Sequence, residues 1–139
     1  MTKRDGTDLS INNTITMKAI KTNGAPAAIG PYSQAVEANG FVYLSGQLPI
    51  DPQTGKMPEG IKAQTQQALE NVRAILAEAG LTMKNVVKTT VMLADIADFG
   101  GMNEVYATFF DEPFPARSAF AVRDVPKGAL LELECIAAK

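Results

Sequence analysis

The sequence predicts an α+β domain in which two helices cover one face of a mixed β-sheet, in the order β-β-β-α-β-α-β-β. Three observations carry that prediction. Short apolar runs of strand length are separated by Gly, Pro and Asn. Between the third and fourth of them, Ile61, Ala68, Leu69, Val72, Ile75, Leu76 and Ala79 recur at helical spacing. A second helical pattern, Asp98–Phe110, interrupts the later strands and presents Phe99, Met102, Tyr106 and Phe109 for burial. With 139 residues, 46% of them hydrophobic, the chain is long enough for one core and too short for two.

Each element follows from local chemistry. Residues 1–16 mix Asp, Asn, Thr and Gly without periodicity and read as a mobile extension whose native status is open, ahead of a domain spanning 17–139. Met17–Lys21 reads as a short strand. Ser33–Ala38 and Phe41–Ser45 flank Asn39-Gly40, the strongest short hairpin signal a sequence offers. A loop rich in Pro and Gly then leads to the first helix, and Gly80 stands where a left-handed C-terminal cap is expected. Val86–Leu93 reads as a strand, and Ser118–Val122 with Leu130–Ile136 as a closing strand pair. Gly100 and Gly101 weaken the start of the second helix by about 1 kcal/mol each relative to Ala. Two helices shield only one side of the sheet, yet Val86–Leu93 and Leu130–Ile136 place apolar or uncharged residues on both faces, so the second face is expected to pack against another subunit.

Composition excludes several kinds of chemistry. A net charge of −2, with no basic cluster longer than Lys3-Arg4, offers no stripe to neutralise phosphates, so no nucleic-acid partner is expected. No apolar stretch approaches membrane-spanning length and the N-terminus is polar, so a cytoplasmic location and no membrane partner are expected; Asn12-Asn13-Thr14 is then a chance match to the glycosylation pattern. The chain has no histidine, which removes Ser-His-Asp and Cys-His catalysis and histidine-rich zinc sites. Its one cysteine, Cys135, sits in an apolar strand pattern and reads as a buried small hydrophobe. No glycine-rich phosphate loop and no G-x-S-x-G are present, and no lysine has a neighbourhood that nominates it for Schiff-base work, so neither metal nor cofactor is called for.

Arg117 is the most informative residue. It ends the proline-stiffened run Glu112–Arg117 and opens an apolar strand, so its fork of donors is planted where a rigid element begins and suits bidentate capture of a small carboxylic acid. The plainer reading is an arginine at a strand end paired with a surface acid. Tyr32 after a Gly-Pro turn, Gly46 in Ser45-Gly46-Gln47, Asn103 in the second helix and Glu132 are the other candidates. Their plainer readings are a ring capping the core, a backbone bend, a solvated helix residue and an acid facing water. In Leu131-Glu132-Leu133-Glu134-Cys135 two carboxylates recur at period two, and burial of either raises its pKa toward the range of a general base. Whether Glu132 shares a face with Arg117 depends on hairpin register. Pairing Ala119 with Glu132 puts them on one face, about 7 Å apart along the sheet; pairing Phe120 with Glu132 puts them on opposite faces.

Taken together, these motifs resemble the RidA/YjgF (Rid) family of imine deaminases. The matching segments are Ala25–Ala35, Ser45-Gly46-Gln47-Leu48-Pro49, Asn71-Val72, Ala79-Gly80-Leu81, Val87–Val91, Asn103 with Tyr106, Phe114–Ser118 and Leu131–Glu134. The resemblance runs from about Met17 to the C-terminus, making 17–139 a Rid-like domain. It implies a chorismate-mutase-like fold, a homotrimer with ligand pockets between subunits, and hydrolysis of 2-iminobutanoate or 2-iminopropanoate to 2-oxo acids and ammonia without a cofactor. By position it implies that Arg117 binds the substrate carboxylate and that Gly46 and Ala119 offer backbone contacts. Glu132 then orients or activates water, while Tyr32 and Asn103 line the pocket. The family often has cysteine where this chain has Ala119, so a thiol-dependent role or its redox regulation is not expected. A small-acid binding or sensing module, and a ribonuclease or translation inhibitor, are the competing readings; the acidic balance disfavours the latter.

Overall fold

The computed structural model describes residues 16–139. The expected N-terminal extension and its Asn12-Asn13-Thr14 pattern therefore lie outside the described residues, Thr16 apart. The strands are β1 (Lys18–Ile20), β2 (Ala35–Ala38), β3 (Phe41–Gln47), β4 (Val86–Leu93), β5 (Ala116–Ala121) and β6 (Leu131–Ala138), with helices α1 (Ile61–Glu78) and α2 (Phe99–Tyr106). They follow one another as β-β-β-α-β-α-β-β, as the sequence predicts.

Local signals produce the local geometry. Asn39 and Gly40 both take positive φ, 54° and 82°, the signature of a type I′ turn, and Ala38 pairs with Phe41 across it. Past α1, Gly80 has φ 78°, its N–H reaches the Ala77 carbonyl at 2.9 Å, and the Leu81 N–H reaches Leu76 at 2.8 Å. These bonds satisfy two of the carbonyls that a helix C-terminus leaves open. Helix α2 is shorter than its pattern suggests. The Thr108 hydroxyl takes the Val105 carbonyl at 2.7 Å, offering that backbone group a partner other than the next turn. Phe109 and Phe110 are nevertheless buried, the first from a turn and the second just past it. Gly101 has a packing reason: a Cβ there would come within 2.8 Å of Ile61 Cγ2, so its absence lets α2 approach the start of α1.

The six strands form one sheet in the order β1-β2-β3-β6-β4-β5. The expected closing pair does not form. β5 pairs with β4, in parallel, and β4 separates it from β6. Residues 122–130 carry no tight hairpin turn, only a short 3-10 turn at Pro126–Gly128, and are long enough to cross β4. β4, with uncharged residues on both faces except Lys88, takes an interior position between β6 and β5, and Arg117 falls on the sheet edge.

Both helices lie on one face. Leu69, Val72, Ile75 and Leu76 of α1 meet Val42, Leu44, Val91, Leu93, Leu131 and Leu133, all buried. Each such side chain contributes roughly 2 kcal/mol by leaving water. Cys135 belongs to the same face and is buried, as expected, with its thiol pushed up to about 12 by burial and then by Glu134. The other face carries Phe41, Tyr43 and Phe120, between 40% and 46% exposed, beside half-buried Met92 and Ile136. No described helix covers it.

Candidate active site

The candidate residues form two clusters, one on each face of the sheet. On the helix side, β5 runs alongside β4 with Arg117 level with Thr89, a position fully buried beneath α2. Arg117 therefore points toward α2. Its Nη1 donates to Asn103 Oδ1 at 2.6 Å, and its Cζ stands 4.8 Å from the Tyr106 ring centre and 5.4 Å from that of Phe99. Phe99, Asn103 and Tyr106 fall at i, i+4 and i+7, one stripe of the helix. Among the described residues no carboxylate comes within 4 Å of Arg117, which rules out the surface ion pair within that part of the chain. A guanidinium has five N–H donors, and one hydrogen bond leaves most of them for a ligand. Asn103 is likewise no idle helix residue, since it holds the arginine. Ala119, level with Val91, lies on the same face two residues along.

The second cluster occupies the open face. Leu44 pairs with Cys135 and Gln47 with Leu133, so Ser45 and Gly46 together oppose the single residue Glu134. This β-bulge resets the alternation of β3: Leu44 and Gln47 both point inward, and Gly46 turns out toward Glu132. A Cβ on residue 46 would strike the Glu132 carboxylate oxygen and would lie 2.8 Å from its Cδ. Glycine is thus required for the carboxylate to rest where it does. Glu132 is half-buried, and its pKa is raised, first by loss of solvent and then by the charge of Glu134. Sequence reasoning marks Gly46 and Glu132 separately. The bulge that joins them has no local signature beyond the glycine itself.

Tyr32 joins this side through a hollow of about 470 Å³ whose walls include Ile29, Tyr32, Gly46, Gln47, Pro52 and Lys127. Its ring is 54% exposed and does not cap the core. Buried amides fix the loops around it. Gln34 donates to the Thr22 and Pro26 carbonyls at 3.1 and 2.8 Å and accepts from the Thr22 N–H at 2.8 Å. Asn71 of α1 donates to the Leu48 and Ile50 carbonyls, both at 3.0 Å, and the Ser45 hydroxyl donates to the Ser33 carbonyl at 2.6 Å. These bonds anchor the backbone on either side of Gly46 and Tyr32. A smaller hollow of about 240 Å³ beside Met83, Phe109 and Pro113 holds none of the candidate residues.

Neither hairpin register considered from sequence exists, because β5 and β6 do not pair. Met92 is level with Phe120 on one side and Glu132 on the other, so Glu132 points away from the helices. Arg117, level with Thr89, points toward them. The two lie two strands and three residues apart, roughly 10 Å across the sheet and roughly 10 Å along it, on opposite faces.

Known proteins match the chain over nearly all of this fold. The profile described as Endoribonuclease L-PSP matches residues 22–139. A RutC family protein of Pyrococcus horikoshii is 52% identical over 123 residues, covering 88% of this chain and 98% of the relative. A protein of Mus musculus named 2-iminobutanoate/2-iminopropanoate deaminase is 49% identical over 126 residues, covering 90% of this chain and 93% of the relative. The crystal structure of Escherichia coli TdcF with bound serine superimposes with a TM-score of 0.84 at 46% identity, covering 88% of this chain and 98% of that one. With a matched profile over nearly all of the described residues, and relatives near half identity across their full length, the chain belongs to the endoribonuclease L-PSP family, which is the RidA/YjgF family of its sequence motifs.

Proposed function

We propose that the protein is a 2-iminobutanoate/2-iminopropanoate deaminase, hydrolysing reactive 2-imino acids derived from 2-aminoacrylate-type enamines to 2-oxo acids and ammonia. The carrying observation is Arg117: a guanidinium seated on two rings, held at one nitrogen by Asn103, with no carboxylate against it among the described residues. Such a group wants a small acid. The mouse relative carries the deaminase name, and the bacterial neighbour was crystallised with serine, itself a small carboxylic acid.

The chemistry needs little more than position and a base. Arg117 takes the carboxylate, setting the imine carbon where a water reaches it. Glu132, ionised, accepts a proton from that water as its oxygen bonds to the imine carbon. That proton passes to nitrogen, giving a carbinolamine; its hydroxyl proton then moves to the amino group by way of Glu132, the C–N bond breaks as the C=O forms, and ammonia leaves a 2-oxo acid. A carboxylate whose pKa is raised toward the working pH is the better base for this step. Because Arg117 and Glu132 face opposite ways within one chain, a site using both takes Arg117, Asn103 and Ala119 from one copy and Glu132, Gly46 and Tyr32 from the next. A homotrimer in the cytoplasm, its subunits closing over the exposed sheet faces, fits that requirement and the exposed Phe41, Tyr43 and Phe120. A chain with pI near 5.1 is poorly suited to grip an RNA backbone.

The test couples a threonine dehydratase to the protein and follows ammonia release. Acceleration over spontaneous hydrolysis, lowered about a hundredfold or more by Arg117→Ala and by Glu132→Ala, is expected. No acceleration by the wild-type protein sinks the deaminase reading. Loss with Arg117→Ala but not Glu132→Ala removes the base assignment and leaves the carboxylate clamp.

A further inference from the structure

An arginine on an edge strand ordinarily samples many rotamers, and a ligand that captures it must freeze them. Arg117 is instead pressed against α2, and its two ring contacts are not equivalent. Phe99 is only half-buried and has no polar anchor. Tyr106 is 6% exposed, its ring lies 4.7 Å from that of Phe110 at an interplanar angle of 40°, and its hydroxyl is 2.7 Å from Thr89 Oγ1. Thr89 is itself fully buried and is the β4 residue level with Arg117. A single position on β4 thus sets the strand register of Arg117 and pins the far end of the ring beneath its guanidinium.

We propose that Tyr106, locked by the Thr89 hydroxyl, is a positioning residue for Arg117, fixing the guanidinium plane so that its unused edge is presented to the incoming carboxylate. Three contacts orient the guanidinium: the anchored Tyr106 ring, the looser Phe99 ring and Asn103 at one nitrogen. The ring attracts the cation without neutralising it, unlike an aspartate, so the charge stays available to the ligand. Burial raises the phenol pKa, against smaller opposing effects of the Thr89 bond and Arg117, and a protonated phenol adds no competing anion. Core filling alone asks for a large apolar side chain. The hydroxyl pair between Tyr106 of α2 and Thr89 of β4 adds a fixed ring orientation, which filling does not need.

The kinetic half of the test rests on the imine-hydrolase reading; the spectroscopic half does not. The Arg117 Nε–H resonance of the full-length protein is compared with that of Arg123, whose side chain is 98% exposed and serves as an unstacked reference. In the wild type the Arg117 proton should be displaced by ring current and its order parameter should be high. Tyr106→Leu should return it toward Arg123, and Tyr106→Phe, which keeps the ring and the packing, should retain the displacement with a lower order parameter. In the coupled assay Tyr106→Leu should raise KM about tenfold with kcat changed less than twofold, and Tyr106→Phe should recover most of that loss. A merely structural tyrosine would lower both parameters in step with stability. Coincidence of the Arg117 and Arg123 signals in the wild type, or an Arg117 signal unmoved by Tyr106→Phe in chemical shift and order parameter alike, overturns the proposal even if the deaminase activity stands. If the wild type has no deaminase activity, the resonance comparison alone decides it.

Discussion

The two clusters differ in how they are made. Around Arg117 the contacts are short-range in design: one stripe of an eight-residue helix, Phe99, Asn103 and Tyr106, meets one edge strand of the same chain. Around Glu132 the contacts come from a bulge in β3 opposite β6, strands whose paired residues are about 90 positions apart. There a glycine makes room for a carboxylate that burial and Glu134 together disfavour as an anion. One cluster joins a helix stripe to an edge strand; the other is a carboxylate set over a bulge on the open face. Under the proposed function the sheet is a wall between them, and catalysis requires two copies.

The largest effect should come from breaking that division. Arg117→Ala and Glu132→Ala are each expected to be nearly inactive alone. If each site takes the arginine from one subunit and the glutamate from the next, mixing the two variants under conditions that exchange subunits should restore about a quarter of wild-type activity, since one random pairing in four unites both intact residues. Restoration near zero, with exchange verified by mass, would place both residues in one subunit's site and break the comparison at its root.

Gly46→Ala sharpens it next. The backbone at 46 does not require glycine's positive-φ freedom; what an added Cβ meets is the movable end of Glu132. The substitution should therefore cost little stability, a melting shift of about 2 °C or less, while displacing the base and lowering kcat about tenfold. A large loss of stability with unchanged kcat would mean that the bulge, and not the carboxylate, depends on this glycine.

The same contrast between local and distant determinants explains what the sequence made legible. The hairpin at Asn39-Gly40, the α1 stripe and the Gly80 cap are set within a few residues, and each takes the expected form. Arg117 was legible too, because a proline-stiffened run and an apolar strand adjoin it, and its pairing with Asn103 joins two residues marked independently. Strand order was not. Whether β5 pairs with β6 or crosses to β4 depends on which partner buries β4 on both edges, and period-two patterning reports faces, not neighbours. The bulge escaped for the same reason: an inserted residue leaves composition unchanged and alters only the register after Leu44. The shortened α2 reflects competition between a Thr108 hydroxyl and the next turn, a contest that apolar spacing does not record.

The smallest expected effect concerns protons. Glu132 has a raised pKa in the folded chain, so the native state binds its proton more tightly than the unfolded state does. Its contribution to stability is favourable below the ordinary carboxylate range and is lost as pH rises through the raised value. At neutral pH the ionised, half-buried carboxylate is therefore a cost, and Glu132→Gln should raise the melting temperature there. The gain should shrink as pH falls through the raised value toward the ordinary glutamate pKa and vanish below it, where wild type and variant carry the same charge at 132. Glu134→Gln removes the second cause of the shift and should move the acidic limb of kcat/KM to lower pH by less than one unit, because burial is the larger cause and remains. Arg117 provides the internal control: its cluster contains no carboxylate among the described residues, so substitutions at Asn103 should leave that limb in place. A limb that moves with Asn103 and not with Glu134 would put the titrating group on the helix side of the sheet, and the division of labour between the two faces would be reversed.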